Sequence, residues 1–348
     1  MELYQKDNKN VKIIEKFKEL DEPNFLIKKR NSQVVFDLYS NFASKNKLQR
    51  LQECGTTLGF DLYKHPKKDE YNKKLASANF CKDKFCEMCN WRRARKYAIQ
   101  NFKTLKAIQE ENNVRYIFAT FTIKNPEIKD LRETIKHFNK SWDRMVRTKK
   151  WKNSILGFVK AIEIPFQKSN KDYINLHAHC LLVVPTKYFN KNYNLYIKQN
   201  EFKKMWQKAL RVDYTPSVDI RIIKPNPNRN EDDAIASVVA ETTKYPMKAL
   251  DFNGIDWQKF KILTEQTKGL RFVSFGGIVL EYRRKVLDED DFNEDDLIGN
   301  ESVNEEEINT WEYLGRLWYS LNCGKYELTH FEPSKFSCLY QTSQVSSK

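Results

Sequence analysis

The pattern of apolar and polar positions divides the middle of the chain into short helices and strands. Apolar residues recurring every three or four positions predict helices at 90–109, 130–146, 201–210 and 233–248. Runs rich in β-branched and aromatic residues predict strands at 114–126, 155–166, 173–185, 218–225 and 271–285, the last bending at Gly276 and Gly277. This mixed order favours an α+β fold with antiparallel strands over a regular β-α alternation.

Two histidines lie on one of these strands. The stretch NLHAHCLLVV places His177 and His179 two residues apart, so their side chains share one face of the strand. The turn QKSNKD joins this strand to the preceding one, and a turn centred near Asn170 puts Glu163 opposite His177. Two imidazoles and a carboxylate suit Mg²⁺ or Mn²⁺. The alternative is a pair of hydrogen-bonded interior histidines, because a slip of one residue would turn Glu163 to the other face.

The helix predicted at 233–248 offers a nucleophile. Glu241 and Tyr245 are four residues apart, hence side by side on a helix, and Lys244 and Lys248 lie nearby. A phenolate beside ammonium groups can attack a metal-bound phosphate, with Glu241 as a base. The spacing alone is weak support, because the chain has 17 tyrosines.

The cysteines are spaced for a metal site. Cys81, Cys86 and Cys89 have the short knuckle spacing of thiolate ligands, and Cys54 is the candidate fourth, with His65 as the alternative. Four thiolates would bind a structural Zn²⁺. The competing interpretation is a set of unconnected thiols.

Composition and charge favour a nucleic acid partner. The chain is 40% hydrophobic and 13% aromatic, too rich for a disordered protein, and its formal net charge is +15. Residues 287–307 hold eleven acids and no Lys or Arg, so the remainder is more basic still. Candidate phosphate contacts just after the knuckle are Arg92, Arg93, Arg95 and Lys96, although a solvated basic face explains them almost as well.

The pattern also predicts how the chain is organised. We expect an N-terminal helical region (1–53), a Cys-rich segment with a basic helix (54–109), a catalytic domain (110–286), an acidic linker (287–307) and an aromatic appendage (308–348). No apolar run approaches the roughly 20 residues of a membrane-spanning helix, so a cytoplasmic protein without membrane contact is expected.

Five blocks together resemble one family. IFATFTIKN (117–125), NLHAHCLLVV (175–184) and ETTKYPMK (241–248) resemble, in order and spacing, the three motifs of plasmid rolling-circle replication initiators, the HUH endonucleases with a single tyrosine. CKDKFCEMCNWRRARK (81–96) and RFVSFGGIVLE (271–281) resemble flanking blocks of that group. Ala178 stands where the family often has a bulkier residue, but its side chain faces away from the histidines.

The resemblance implies a central antiparallel sheet with the histidine strand in the middle and helices packed on one face. It implies that Tyr245 attacks a phosphodiester at the plasmid double-strand origin, leaving a 5′-phosphotyrosine and a 3′-hydroxyl primer, while His177 and His179 hold Mg²⁺ or Mn²⁺. Glu241 corresponds to the glutamate that directs water at termination. The implied partners are origin DNA, a host helicase and a polymerase.

Two other functions remain open at this point. An HUH relaxase or transposase would use the same site on different DNA, although a relaxase commonly adds a large helicase domain and a third clustered histidine. A non-catalytic zinc-containing DNA-binding protein would use the histidines structurally.

Overall fold

Two antiparallel sheets organise the described part of the chain. The computed structural model describes residues 8–223, 239, 251–252, 254–288, 292–293, 296–298 and 310–334. Its helices are α1 (Asn8–Lys16), α2 (Pro23–Tyr39), α3 (Lys45–Glu53), α4 (Glu87–Glu111), α5 (Leu131–Val146), α6 (Lys149–Ser154), α7 (Gln199–Leu210), α8 (Trp257–Thr267) and α9 (Ile278–Val286). Its strands are β1 (Thr57–Lys64), β2 (Tyr71–Ala78), β3 (Val114–Thr122), β4 (Gly157–Glu163), β5 (His177–Pro185), β6 (Val218–Ile222), β7 (Val273–Gly277), β8 (Glu312–Asn322) and β9 (Lys325–Pro333).

The chain folds as two units. The first comprises Met1–Asp37, Ala43–Arg92 and Leu297–Lys348, and the second comprises Leu38–Phe42 and Arg93–Asp296. No helix among the described residues combines the length and the apolar character needed to cross a bilayer.

The first unit contains a four-stranded sheet in the order β2-β1-β8-β9. Alternate residues of β1, Leu58, Phe60 and Leu62, are fully buried, and the ring of Phe60 meets that of Tyr319 edge-on with centroids 6.0 Å apart. The aromatic segment near the C-terminus therefore supplies strands β8 and β9 to this sheet. Strands β1 and β2 were not predicted from the sequence.

The second unit contains a five-stranded sheet in the order β6-β3-β5-β4-β7, with the histidine strand β5 at its centre. The predicted α+β fold with a central antiparallel sheet is thus confirmed. Ala178, Cys180 and Leu182 of β5 are fully buried. Phe121, opposite Ala178 on β3, packs against Trp142 of α5 and Trp206 of α7, which places these two helices on that face.

Helix α5 shows why the sequence folds this way. Its buried side chains recur at helical spacing: Leu131, Ile135, Phe138, Trp142 and Met145. On the opposite face of the sheet, Leu181 and Val183 of β5 pack in one cluster with Phe102 and Leu105 of α4. Helix α4 therefore covers the end of β5 that lies away from the histidines.

The prediction of a single bent strand over 271–285 was wrong. Strand β7 ends at Gly277, and α9 begins at Ile278. Gly277 has φ of 59°, and a Cβ there would overlap the carbonyl oxygen of Leu156. Only glycine combines this positive φ with so close an approach to the Leu156 backbone, because it has no Cβ. The chain therefore turns at Gly277, and the amphipathic residues that follow it form a helix.

Candidate active site and metal centres

The β4–β5 hairpin brings Glu163 and the two histidines to one face of the central sheet. Glu163 pairs with His177, and Ala161 pairs with His179, so the register is the one predicted from the turn. The alternative register, in which Glu163 points to the other face, is not adopted.

The three side chains converge on one point. Glu163 Oε2 lies 3.5 Å from His177 Nε2 and 3.6 Å from His179 Nε2. All three side chains retain some solvent contact, with 16%, 13% and 23% of the side-chain surface exposed for Glu163, His177 and His179. The group is therefore partly buried but open on one side.

Each imidazole is oriented by a second contact through its other ring nitrogen. His177 Nδ1 lies 2.8 Å from the carbonyl oxygen of Asn175. Because a carbonyl can only accept a hydrogen bond, this Nδ1 carries the proton and leaves the Nε2 lone pair of the neutral ring available. His179 Nδ1 lies 3.1 Å from the hydroxyl of Thr120 on β3, and Phe118 stacks on the same ring at a centroid distance of 5.3 Å.

The electrostatics of the group favour an anionic Glu163. Burial alone would raise the pKa of Glu163, but hydrogen bonds from His177 and His179 outweigh it and bring the pKa to about 2. Burial would lower the pKa of His177, but the hydrogen bonds to Glu163 and to the Asn175 carbonyl outweigh it and raise the pKa. Without a cation, the histidines thus stabilise the carboxylate by sharing protons with it.

The donor set fits a divalent cation. The candidate ligand atoms of Glu163, His177 and His179 all lie within 4.8 Å of one another. Two imidazole nitrogens and a carboxylate oxygen are donors for a divalent cation, and the open side leaves room for oxygen atoms of a substrate. The geometry thus allows one ion to be bound by the protein and a phosphate together.

Thr120 and Phe118 were missed in the sequence. Both lie on β3, and their pairing with His179 and Leu181 puts them on the histidine face. The signal was present in the motif IFATFTIKN, where Phe118 and Thr120 alternate with Ala119 and Phe121, which are fully buried on the other face. Recognising it required the register of β3 on β5, which the sequence did not supply.

The predicted nucleophile and its neighbours lie outside the described residues. These are Tyr245, Glu241, Lys244 and Lys248. Val239, two positions before Glu241, is described: it is buried in the cluster that also contains Leu181 and Val183. These two residues lie an even number of positions after His179 on β5, so Val239 packs on the histidine face of the sheet.

The four predicted cysteines form a second group, in the first unit. Cys54, Cys81, Cys86 and Cys89 are buried, with candidate ligand atoms within 4.8 Å of one another. Cys54 Sγ lies 3.6 Å from the sulfurs of Cys86 and Cys89, and Cys81 Sγ lies 3.6 Å from that of Cys89. A tetrahedral Zn²⁺ with Zn–S bonds of about 2.3 Å separates its sulfurs by about 3.8 Å, so the spacing fits zinc.

Hydrogen bonds to the sulfurs of this group favour negative charge on some of them. The backbone N–H of Cys81 donates to Cys54 Sγ at 3.3 Å, and that of Lys82 donates to Cys89 Sγ at 3.3 Å. Hydrogen bonds from the thiols of Cys54 and Cys81 hold the pKa of Cys86 well below its ordinary value, whereas hydrogen bonding among the same sulfurs raises the pKa of Cys81 and of Cys89. The alternative ligand His65 is engaged elsewhere: its Nδ1 accepts from the N–H of Lys67, and its ring packs on Trp311.

The basic residues after the knuckle occupy the N-terminal half of α4. Arg92, Arg93 and Lys96 are 3%, 4% and 7% exposed, and Arg95 is half-buried. Arg92 Nε donates to the carbonyl oxygen of Leu297 at 3.0 Å. Lys96 Nζ donates to the carbonyl oxygens of Asn293 and Asp296 at 3.0 and 3.1 Å. These contacts bind part of the predicted acidic linker to α4. A role of the four basic residues in DNA binding stays a prediction.

These features define an α+β protein whose central sheet carries an open carboxylate–histidine group and whose other unit carries a closed four-thiol group. The "Replication protein" family model matches residues 72–324 of the chain. The chain belongs to this family of replication proteins, which confirms the resemblance of its sequence to replication initiators.

Individual relatives extend over most of the chain. It is 31% identical to "Protein rep" of Streptococcus pneumoniae serotype 2 (strain D39 / NCTC 7466) over 80% of this chain and 85% of that protein. It is 32% identical to "Protein rep" of Lactiplantibacillus plantarum, over 76% of this chain and 83% of that protein. A "Replication protein" of Staphylococcus aureus is 35% identical over 58% of this chain and 87% of its own length. No solved structure matches the chain significantly.

Proposed function

We propose that this protein initiates rolling-circle replication of a plasmid by nicking one strand at the double-strand origin. The observation that carries the proposal is the group formed by Glu163, His177 and His179 on the central strands of the sheet, in a chain that belongs to the replication-protein family. Core packing alone does not explain this group. All three side chains keep some solvent access, and the two Nε2 atoms and the carboxylate converge.

In this proposal, Glu163, His177 and His179 hold Mg²⁺ or Mn²⁺, which supplies Lewis-acid polarisation of the scissile phosphate when bound. The Asn175 carbonyl and the Thr120 hydroxyl contact the Nδ1 atoms and would thereby keep each Nε2 available to the ion. The buried Cys54, Cys81, Cys86 and Cys89 hold a structural Zn²⁺.

Tyr245 is the proposed nucleophile. Its Oη forms a bond to phosphorus while the bond from phosphorus to the 3′-oxygen breaks, giving a 5′-phosphotyrosine. The phenol proton passes to a base, and the released 3′-oxygen takes a proton from solvent to become a hydroxyl. The motif ETTKYPMK (241–248), in a chain that belongs to the replication-protein family, supports this assignment.

Glu241 is the proposed base for the hydrolysis that ends a round of replication. With one catalytic tyrosine, a water molecule directed by Glu241 can hydrolyse the phosphotyrosine at the end of a round and release the enzyme. Lys244 and Lys248 are proposed to contact DNA phosphates. The 3′-hydroxyl serves as the primer for a host polymerase, and a host helicase separates the strands ahead of it.

The experiment is covalent attachment of the full chain to a labelled single-stranded origin oligonucleotide with Mn²⁺ present. Tyr245→Phe is expected to abolish the covalent adduct and to keep DNA affinity within about threefold, because only the attacking oxygen is removed. Tyr313→Phe, at a tyrosine that is 40% exposed in the first unit, is the matched control and should nick normally. Undiminished adduct formation by Tyr245→Phe would exclude the assignment.

A further inference from the structure

A loop after the histidine strand concentrates aromatic and cationic side chains. Residues 186–198 (TKYFNKNYNLYIK), called here the aromatic loop, contain four aromatic residues and three lysines but no Asp or Glu. Tyr193 and Tyr196 are 54% and 44% exposed, among the most exposed large apolar side chains in the described residues. Exposure of two tyrosines together in a loop without acids is unusual for a surface that only contacts water.

The aromatic loop is anchored by its own buried core. Tyr188 is fully buried, and its hydroxyl accepts from the N–H of Ile197 at 3.0 Å. The ring of Tyr196 contacts those of Tyr188 and Phe189, at centroid distances of 5.4 and 6.1 Å. These contacts hold the exposed ring of Tyr196 in place, so that a stacking partner would order few further groups on binding.

Cations lie beside two rings of the aromatic loop. The guanidinium of Arg115 lies 5.2 Å from the ring centroid of Phe189, and Lys187 Nζ lies 5.3 Å from that of Tyr193. Helix α6 adjoins the same loop, because Lys150 Nζ donates to the carbonyl oxygen of Asn194 at 3.2 Å. Residues 144–162 include no Asp or Glu, and exposed cations there are Arg147, Lys149 and Lys152.

We propose that the aromatic loop and helix α6 form a binding platform for single-stranded DNA, on which Tyr193 and Tyr196 stack with bases and the surrounding lysines contact phosphates. The combination of exposed rings and cations fits an unpaired strand, because bases within a duplex are already stacked and offer no free face. The excess of cations without acids fits a polyanion better than a protein partner of mixed charge.

The platform deepens the proposed function and rests on it for its biological role. His177 and Pro185 are the first and last residues of β5, so at roughly 3.4 Å per residue the platform begins about 27 Å along the strand from His177 and about 20 Å from His179. The platform would therefore contact the strand several nucleotides away from the scissile phosphate. It would hold DNA that flanks the nick, not the reacting nucleotide.

The test is fluorescence anisotropy of the full chain with labelled d(T)20 and with a 20-base-pair duplex, in the absence of divalent metal. Tyr193→Ala/Tyr196→Ala is expected to weaken binding of d(T)20 about tenfold or more and duplex binding by less than about twofold, because only an unpaired strand can stack. Tyr193→Phe/Tyr196→Phe keeps both rings and should restore the affinity for d(T)20. Tyr313→Ala is the control for an exposed tyrosine elsewhere.

A second pair of substitutions tests the cations without touching the rings. Lys149→Gln/Lys187→Gln is expected to reduce the slope of log affinity against log salt concentration for d(T)20 by about 1.4, or about 0.7 for each phosphate that is no longer neutralised. Both lysines are exposed, so this variant keeps its fold even if the tyrosine variant does not. An unchanged slope would contradict the proposed phosphate contacts.

Four further results would overturn the proposal: no binding of d(T)20 by the wild type, unchanged affinity of the alanine variant, equal reductions on single strand and duplex, or failure of phenylalanine to restore binding. Because binding is measured without metal, none of these outcomes depends on nicking. Absence of covalent attachment by the wild type would count against the proposed function and leave the binding result intact.

Discussion

The two candidate metal groups of this protein differ in ligand type and in access to solvent. Cys54, Cys86 and Cys89 are fully buried and Cys81 is 6% exposed, so the four-thiol group is closed. The carboxylate–histidine group has three ligands and an open side. Four thiolates satisfy Zn²⁺ completely, whereas three harder ligands leave positions for water or a phosphate.

From this difference we expect a structural role for the closed group and a chemical role for the open one. A closed group keeps its ion and contributes to folding, because its ligands are brought together only in the folded state. An open group can exchange its ion and its remaining ligands, as the proposed catalysis requires. Variants of the two groups should therefore differ in whether stability or activity is impaired.

The largest effect is expected from Cys86→Ser, which removes one thiolate from the closed group. Structural Zn²⁺ contributes about 10–16 kcal/mol in zinc-finger peptides, so we expect loss of the bound zinc and unfolding of the first unit at lower temperature. Metal content by atomic emission and calorimetric unfolding of the full chain measure both. Cys323→Ser, at an exposed cysteine, is the matched control. If Cys86→Ser unfolds at the same temperature as the wild type and the wild type contains no zinc, the proposed structural role of this group is contradicted.

An intermediate effect on activity is expected from His177→Ala, at the open group. Nicking of the origin oligonucleotide should fall at least about 100-fold, because one of three protein ligands is removed. Stability should change less than in Cys86→Ser, because His179 still pairs with Glu163 after the substitution. His137→Gln on α5 is the control, since His137 Nε2 contacts the carbonyl oxygen of Leu210 and belongs to neither metal group. Normal nicking by His177→Ala at low Mn²⁺ would contradict the metal assignment.

The smallest of these effects is expected from Thr120→Val, which removes the hydroxyl beside His179 Nδ1 without changing the shape of the side chain. The affinity for Mn²⁺ should fall about 10- to 100-fold, as expected when a group that orients a ligand is removed. Saturating Mn²⁺ should restore the nicking rate, and Thr120→Ser should restore the affinity. A reduced rate that Mn²⁺ cannot restore would show that Thr120 acts by another route.

Much of the candidate site could be predicted from local sequence. The alternation around His177 and His179 and the turn QKSNKD were enough to predict the register that brings Glu163 opposite His177. The spacing of Cys81, Cys86 and Cys89 predicted a cluster with Cys54 as the candidate fourth member, and the structure groups Cys54, not the alternative His65, with the other three. These features depend mainly on contacts between neighbours in the chain or on a single short hairpin.

Features that depend on distant contacts were not predicted. Strand β1 pairs with β8, more than 200 residues later, and neither strand has a strong signal by itself. The turn at Gly277 depends on the backbone of Leu156. The pairing of Thr120 with His179 depends on β3 and β5, which are separated in the chain by helices and by strand β4.

The sequence by itself determined most elements of the second unit, the shared face of the histidines and the ligand types of both groups, because alternation and side-chain chemistry are local properties. Only the tertiary structure decided which groups are buried. Lys160 lies between apolar residues on β4 and is 4% exposed, with its ammonium bound to Asn139 Oδ1 at 2.7 Å. Burial lowers the pKa of Lys160 to about 8. Desolvation depends on every element packed around a side chain, and that information is distributed over the whole fold.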